Sequence, residues 1–138
     1  MMRFSKKSKY GSKKVSHSGY SFGSKLEAAT FDILKLMEKA GAIRDIKTQQ
    51  SVYLTLARIQ YIADFSAVDC NTLETHYYEA KGFVTDVWAI KKRLWKQYGP
   101  GTLYIFTGSH LSPKMTDEVR PVKNSVHCKV CDSTFVPE

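Results

Sequence analysis

The stretch Tyr77–Phe83, YYEAKGF, sets a carboxylate and an ammonium two positions apart in a run of aromatic and small residues. Read as a β-strand, it puts Glu79 and Lys81 on one face and Tyr78, Ala80 and Gly82 on the other. A second acid approaches from the preceding strand. There Tyr61, Ala63 and Phe65 are expected to face one way and Ile62, Asp64 and Ser66 the other, and the turn residues Asp69-Cys70-Asn71-Thr72 fold that strand back beside YYEAKGF. Asp64 and Glu79 can then converge. Neighbouring carboxylates repel unless something neutralises them, and a hard, oxygen-seeking cation such as Mg2+, with Mn2+ as a substitute, does so. The backbone carbonyl of Ala80 can serve the same ion. Lys81 is then set to position or deprotonate a water, or to stabilise charge building on a phosphate.

The same three side chains could instead form a cross-strand ion-pair cluster on a solvated face. Two features favour the ion. Asp64 lies in YIADF, hemmed by apolar residues where a merely solvated acid is not needed, and Gly82 lets a phosphate or another backbone come close. Asp45-Ile46-Lys47 repeats the acid-x-Lys spacing but lacks a preceding acid-bearing hairpin strand, so it is set aside.

The elements that must hold this cluster are legible from periodicity. Leu26, Thr30, Ile33, Met37 and Ala40 recur at helical spacing, with Ser24 and Glu27 in capping-box form and Gly41 as the stop. Ser51–Leu56 and Ile59–Val68 are rich in β-branched and aromatic residues, and with YYEAKGF they predict a three-stranded meander. A second helix is predicted from Thr85 or Asp86 through Val87, Ile90, Leu94 and Tyr98, with Trp88 and Trp95 as core residues of that stripe. It ends at Gly99-Pro100-Gly101, and the apolar run Thr102–Thr107 reads as a last, central strand.

Composition frames these elements. The 138 residues, 43% hydrophobic and 12% aromatic, suit one core, and 21 Lys and Arg against 13 Asp and Glu give a net charge of +8 that suits a polyanionic partner. No apolar run approaches the roughly 18 residues that span a bilayer, so the expectation is a soluble cytoplasmic protein with no membrane partner. Residues 1–23, rich in Lys, Ser and Gly and without an acid, read as a flexible basic arm. Residues 24–108 read as the folded core and 109–138, with three of the four prolines, as an appendage. Lys13, Lys14 and Lys25, with Lys91, Lys92, Arg93 and Lys96 of the second helix, are the candidate phosphate contacts. In the tail, Cys128-x-x-Cys131 with His127 is half a zinc site by spacing. Zn2+ there needs completion, for example across a dimer; otherwise these are free thiols.

The order α-β-β-β-α-β with Glu27, Asp64 and Glu79-Ala80-Lys81 resembles the PD-(D/E)xK nuclease superfamily, an α/β fold with a mixed central sheet flanked by helices. More narrowly, SKLEA at 24–28, AGAIRD at 40–45, YIADF at 61–65 and YEAKGFVTDVWAIKKRLW at 78–95 are similar to small phage and prophage nucleases related to endonuclease I of T-odd coliphages. That enzyme resolves four-way DNA junctions. Ala63 stands where the superfamily pattern has proline. The resemblance implies a metal-dependent phosphodiesterase, with Asp64 and Glu79 as metal ligands, Lys81 as the catalytic lysine, and Glu27 as an outer carboxylate for a second ion or its water. It further implies branched DNA as substrate, and paired cuts on that substrate imply a homodimer.

Overall fold

The computed structural model describes residues 14–122 and the short strands 126–128 and 133–135. At the start of this range Ser18 and Gly19 both take positive φ, 49° and 80°, the backbone of a tight hairpin turn. They join β1 (Val15–His17) to β2 (Tyr20–Phe22). Phe22 is only 2% exposed and packs on Phe31 and Phe65 at ring distances of 5.2 and 6.0 Å. The expected flexible arm 1–23 is therefore corrected: residues 15–22 are a hairpin docked on the core, and residues 1–13, Lys13 among them, lie outside the described residues.

Helix α1 (Lys25–Lys39) begins at Ser24, whose hydroxyl accepts the Glu27 N–H at 3.1 Å. Its buried stripe runs through Leu26, Thr30, Phe31 and Leu34, while Ile33 and Met37 lie at its margin. Strands β3 (Ile43–Tyr53), β4 (Gln60–Asp69) and β5 (Thr75–Ala80) form the expected antiparallel meander. β3 starts eight residues before the predicted Ser51 and stops at Tyr53 rather than Leu56. Its polar sequence IRDIKTQQSVY suits its place at the sheet edge, where one side faces solvent.

Helix α2 (Asp86–Tyr98) is the crossover that lets β6 (Leu103–Ser109) return parallel to β5. Trp88 and Trp95 are buried as expected, but Val87, Ile90 and Tyr98 face outward. The apolar stripe is narrower than the periodicity implied, because two indoles and a half-buried Leu94 already fill the space above the sheet. β7 (Ser112–Val119) then adds antiparallel to β6, giving one mixed five-stranded sheet of order β3-β4-β5-β6-β7. The predicted appendage boundary at 109 is thus also corrected: β7 completes the sheet, and Val119 is a core residue. β8 (Val126–Cys128) and β9 (Ser133–Phe135) pair as a separate hairpin.

The sheet is sandwiched between the helices. Phe65, Ala67, Tyr78 and Phe106 pack toward α1, whereas Ala63, Tyr61, Leu103 and Ile105 pack toward α2. Tyr61, Ala63 and Phe65 therefore do not share one face, contrary to simple alternation. The chain changes face at Asp64, directly opposite Gln49, whose φ is +51°. That local break is what shapes the site.

Candidate active site

β4 and β5 are paired from Val68↔Thr75 up to Phe65↔Tyr78, and there the ladder stops. At the next position the strands are joined by side chains instead. Asp64 Oδ2 accepts the Ala80 N–H at 2.9 Å, and Glu79 Oε2 accepts the Asp64 N–H at 3.4 Å. Each acid caps the backbone of the other strand. The Lys81 N–H is taken on the opposite side by the Phe106 carbonyl at 2.8 Å. Since N–H and C=O of one strand residue point the same way, the Ala80 carbonyl faces the gap between β4 and β5. The predicted convergence of Asp64 and Glu79 is present at the C-terminal end of a parallel strand, where open α/β sheets form crevices.

Lys81 Nζ lies 3.8 Å from Glu79 Oε1, and its ammonium stands 5.7 Å from the centre of the Trp88 ring. A cavity of about 260 Å³ opens here, lined by Glu79 and Lys81, by Tyr61 and Ile62 of β4, and by Trp88 and Lys91 of α2. Glu27 reaches the same region from α1. It is 8% exposed, and its carboxylate accepts the Gly23 N–H at 3.1 Å and Gln49 Nε2 at 3.2 Å. The capping box is thus displaced by one residue, because the reciprocal bond falls on Gly23 and not on Ser24.

Burial decides the electrostatics. It raises Glu27 above the usual carboxylate range against the pull of the Gly23 and Gln49 hydrogen bonds. Asp64 is raised by burial first, then by the charges of Glu79 and Glu27, with the Ala80 N–H and Lys81 opposing. Glu79 is likewise raised by burial, and Lys81, the Asp64 N–H and Tyr61 hold it back. One lysine at 3.8 Å does not compensate two buried carboxylates.

That excess of buried negative charge is the property a divalent cation corrects. Among the described residues no three His, Cys, Asp or Glu side chains gather into a ready-made cage. Two carboxylates and one carbonyl, with the other positions left to water and phosphate oxygens, nevertheless match what Mg2+ usually takes from a protein. The donor set fits the ion.

The basic residues are more dispersed. Lys91 lines the cavity, Lys92 is paired with Asp117 of β7 and stands 5.4 Å from the Trp88 ring centre, and Arg93, Lys96, Lys25 and Lys14 are exposed on the surface. Cys131 lies outside the described residues, and the described part of β8 gives the backbone of His127 and Cys128 alone, so the zinc expectation has no geometry. Sequence reasoning missed Gln49, Tyr61 and Trp88 as site neighbours. The Gln49-Gln50 pair next to a predicted strand was the available signal for the first; Trp88 read simply as core and Tyr61 as one face of its strand.

Among the described residues, these features define an α/β protein with a mixed five-stranded sheet, two helices, and a buried acid pair with a lysine where two strands part. The chain belongs to the family described as "Protein of unknown function (DUF1064)", whose model matches residues 7–107. No curated protein and no solved structure matches it. No helix among the described residues is long and apolar enough to cross a membrane.

Proposed function

We propose that this protein is a metal-dependent DNA endonuclease with a PD-(D/E)xK core, selective for branched DNA and above all for four-way junctions, acting as a homodimer in the cytoplasm. The observation that carries the reading is the opening of the β4–β5 ladder at Asp64 and Glu79, with Lys81 alongside and Ala80 turned into the gap. Two buried acids with one lysine at 3.8 Å carry more negative charge than an ion-pair cluster balances. A divalent cation would balance it.

Asp64, Glu79 and the Ala80 carbonyl would hold Mg2+ or Mn2+, which when bound supplies Lewis-acid polarisation of a phosphate oxygen. Lys81 lies beside the carboxylates, within reach of a water or phosphate oxygen in the cavity, and serves to hold the attacking water or offset charge on phosphorus. Glu27, held by Gly23 and Gln49, supplies outer negative charge that orients water or a second ion. Lys91, which lines the cavity, receives an adjacent phosphate, and the exposed Arg93, Lys96, Lys25 and Lys14 offer further phosphate contacts.

Incubation with Mg2+ and a panel of fixed four-way junction, flap, nicked duplex and plain duplex tests the reading. Junction cutting that is lost in Asp64→Asn with DNA affinity kept supports it. Equal cutting of plain duplex removes the junction preference, and no cutting with Mg2+ or Mn2+ leaves a basic binding module.

A further inference from the structure

Tyr61 and Trp88 are 3% and 8% exposed, and neither the Tyr61 hydroxyl nor the Trp88 indole N–H has a hydrogen-bond partner of good geometry. Both line the cavity that holds Glu79 and Lys81. A buried polar hydrogen without an acceptor is costly, and such groups are uncommon enough to need a reason. Packing alone supplies none. Tyr61 stands edge-on to Trp95 at 5.3 Å, a contact that phenylalanine would make equally well. The rest of their apolar cluster, Leu54, Ala63, Leu103, Ile105 and Val119, offers no side-chain acceptor, and Trp95 Nε1 is spent on the Gly101 carbonyl.

The acceptor that faces this pair is Glu79. Its carboxylate is loosely held, by a long hydrogen bond from the Asp64 N–H at 3.4 Å and by the Lys81 ammonium at 3.8 Å. Tyr61 lies close enough to interact with both Trp88 and Glu79. Donor chemistry then sets the order: an indole N–H can only donate, a carboxylate can only accept, and a phenol does both.

We propose that Tyr61 is a positioning residue for Glu79, its hydroxyl donating to the carboxylate and accepting from Trp88 Nε1, so that a small turn of the carboxylate closes an indole–phenol–carboxylate relay. The proposal rests on the reading of Glu79 as an ion ligand. Such outer hydrogen bonds orient a ligand and raise its grip on the ion, commonly by about 10- to 100-fold in affinity. The relay would also tie the ligand to α2, the helix that carries Lys91 to the same cavity.

The test uses the full chain without DNA. Mn2+ binding is measured by calorimetry for the parent, Tyr61→Phe, Trp88→Phe, the double variant and Glu79→Gln, and thermal unfolding is followed in the absence of metal. Tyr61→Phe should weaken Mn2+ by about 10- to 100-fold with little change in Tm. Trp88→Phe should weaken it less, and the double variant should bind no worse than Tyr61→Phe alone, because Trp88 acts through the phenol. The Trp88 indole N–H resonance should shift on adding Mg2+ to the parent and stay in place in Tyr61→Phe. Parental affinity in Tyr61→Phe, or fully additive losses, overturns the relay and leaves the nuclease reading standing. A parent that binds Mn2+ no better than Glu79→Gln overturns the ion site, and the relay with it.

Discussion

Removing one acid of the buried pair should stabilise the ion-free protein while abolishing the proposed cleavage. Asp64→Asn keeps a carbonyl oxygen to accept the Ala80 N–H, now 2.9 Å from Oδ2, but removes the charge that burial and Glu79 both disfavour. The folded-state pKa values of Asp64 and Glu79 lie above the ordinary range. Their contribution to stability is therefore intact below the unfolded-state pKa of about 4 and is lost as pH rises through the folded values. In EDTA the parent should lose stability from pH 5 toward pH 8, and Asp64→Asn should lose less. Each pKa unit corresponds to about 1.4 kcal/mol, and a poorly compensated buried charge costs more than the roughly 1–3 kcal/mol of a neutral polar group. A gain on the order of 2 kcal/mol or more at pH 8, smaller at pH 5 and vanishing only below about pH 4, is the expected result. Urea denaturation at the two pH values measures it. Equal or lower stability of Asp64→Asn at pH 8 would refute the claim that the pair carries uncompensated charge.

Lys81→Met, which keeps apolar bulk beside Trp88, should lower junction cleavage by about 10²- to 10⁴-fold while leaving Mn2+ and DNA affinity near parental in calorimetric and gel-shift titrations. Phe22→Ala should destabilise the fold by about 3–5 kcal/mol in urea, since Phe22 is a core residue of the β1–β2 hairpin; a loss under about 1 kcal/mol would return that hairpin to the arm. Gly101→Ala should cost several kcal/mol or prevent folding, visible as a loss of soluble protein or of Tm, because its methyl group would run into the Thr75 carbonyl of the neighbouring strand.

The strand that carries Glu79 was legible because YYEAKGF combines β-forming residues with charges at spacing two, and a turn at Asp69–Thr72 leaves little choice of partner. Convergence of Asp64 and Glu79 followed from that hairpin alone. Its local geometry did not, because the change of face at Asp64 depends on Gln49 across the ladder, a long-range pairing that no short window reveals. The β1–β2 hairpin was hidden for a compositional reason. Two aromatics in a Lys/Ser/Gly background carry too little apolar weight to predict burial until α1 and Phe65 are there to receive them. β7 escaped for the opposite reason: SPKMTDEV is polar because it forms the far edge of the sheet, so its strand identity comes from pairing with β6 rather than from its own pattern. Trp88 read correctly as core and Tyr61 only as one face of its strand, yet only coordinates reveal that their polar atoms are buried without partners beside Glu79.

A crystal structure with Mn2+, located by the metal's anomalous scattering, decides whether Asp64 and Glu79 hold an ion. A peak is expected about 2.0–2.3 Å from carboxylate oxygens of both Asp64 and Glu79, with the Ala80 carbonyl completing the protein ligands. A well-ordered site that stays empty at saturating Mn2+, or an ion bound elsewhere while Asp64 and Glu79 keep capping each other's strands, would contradict it.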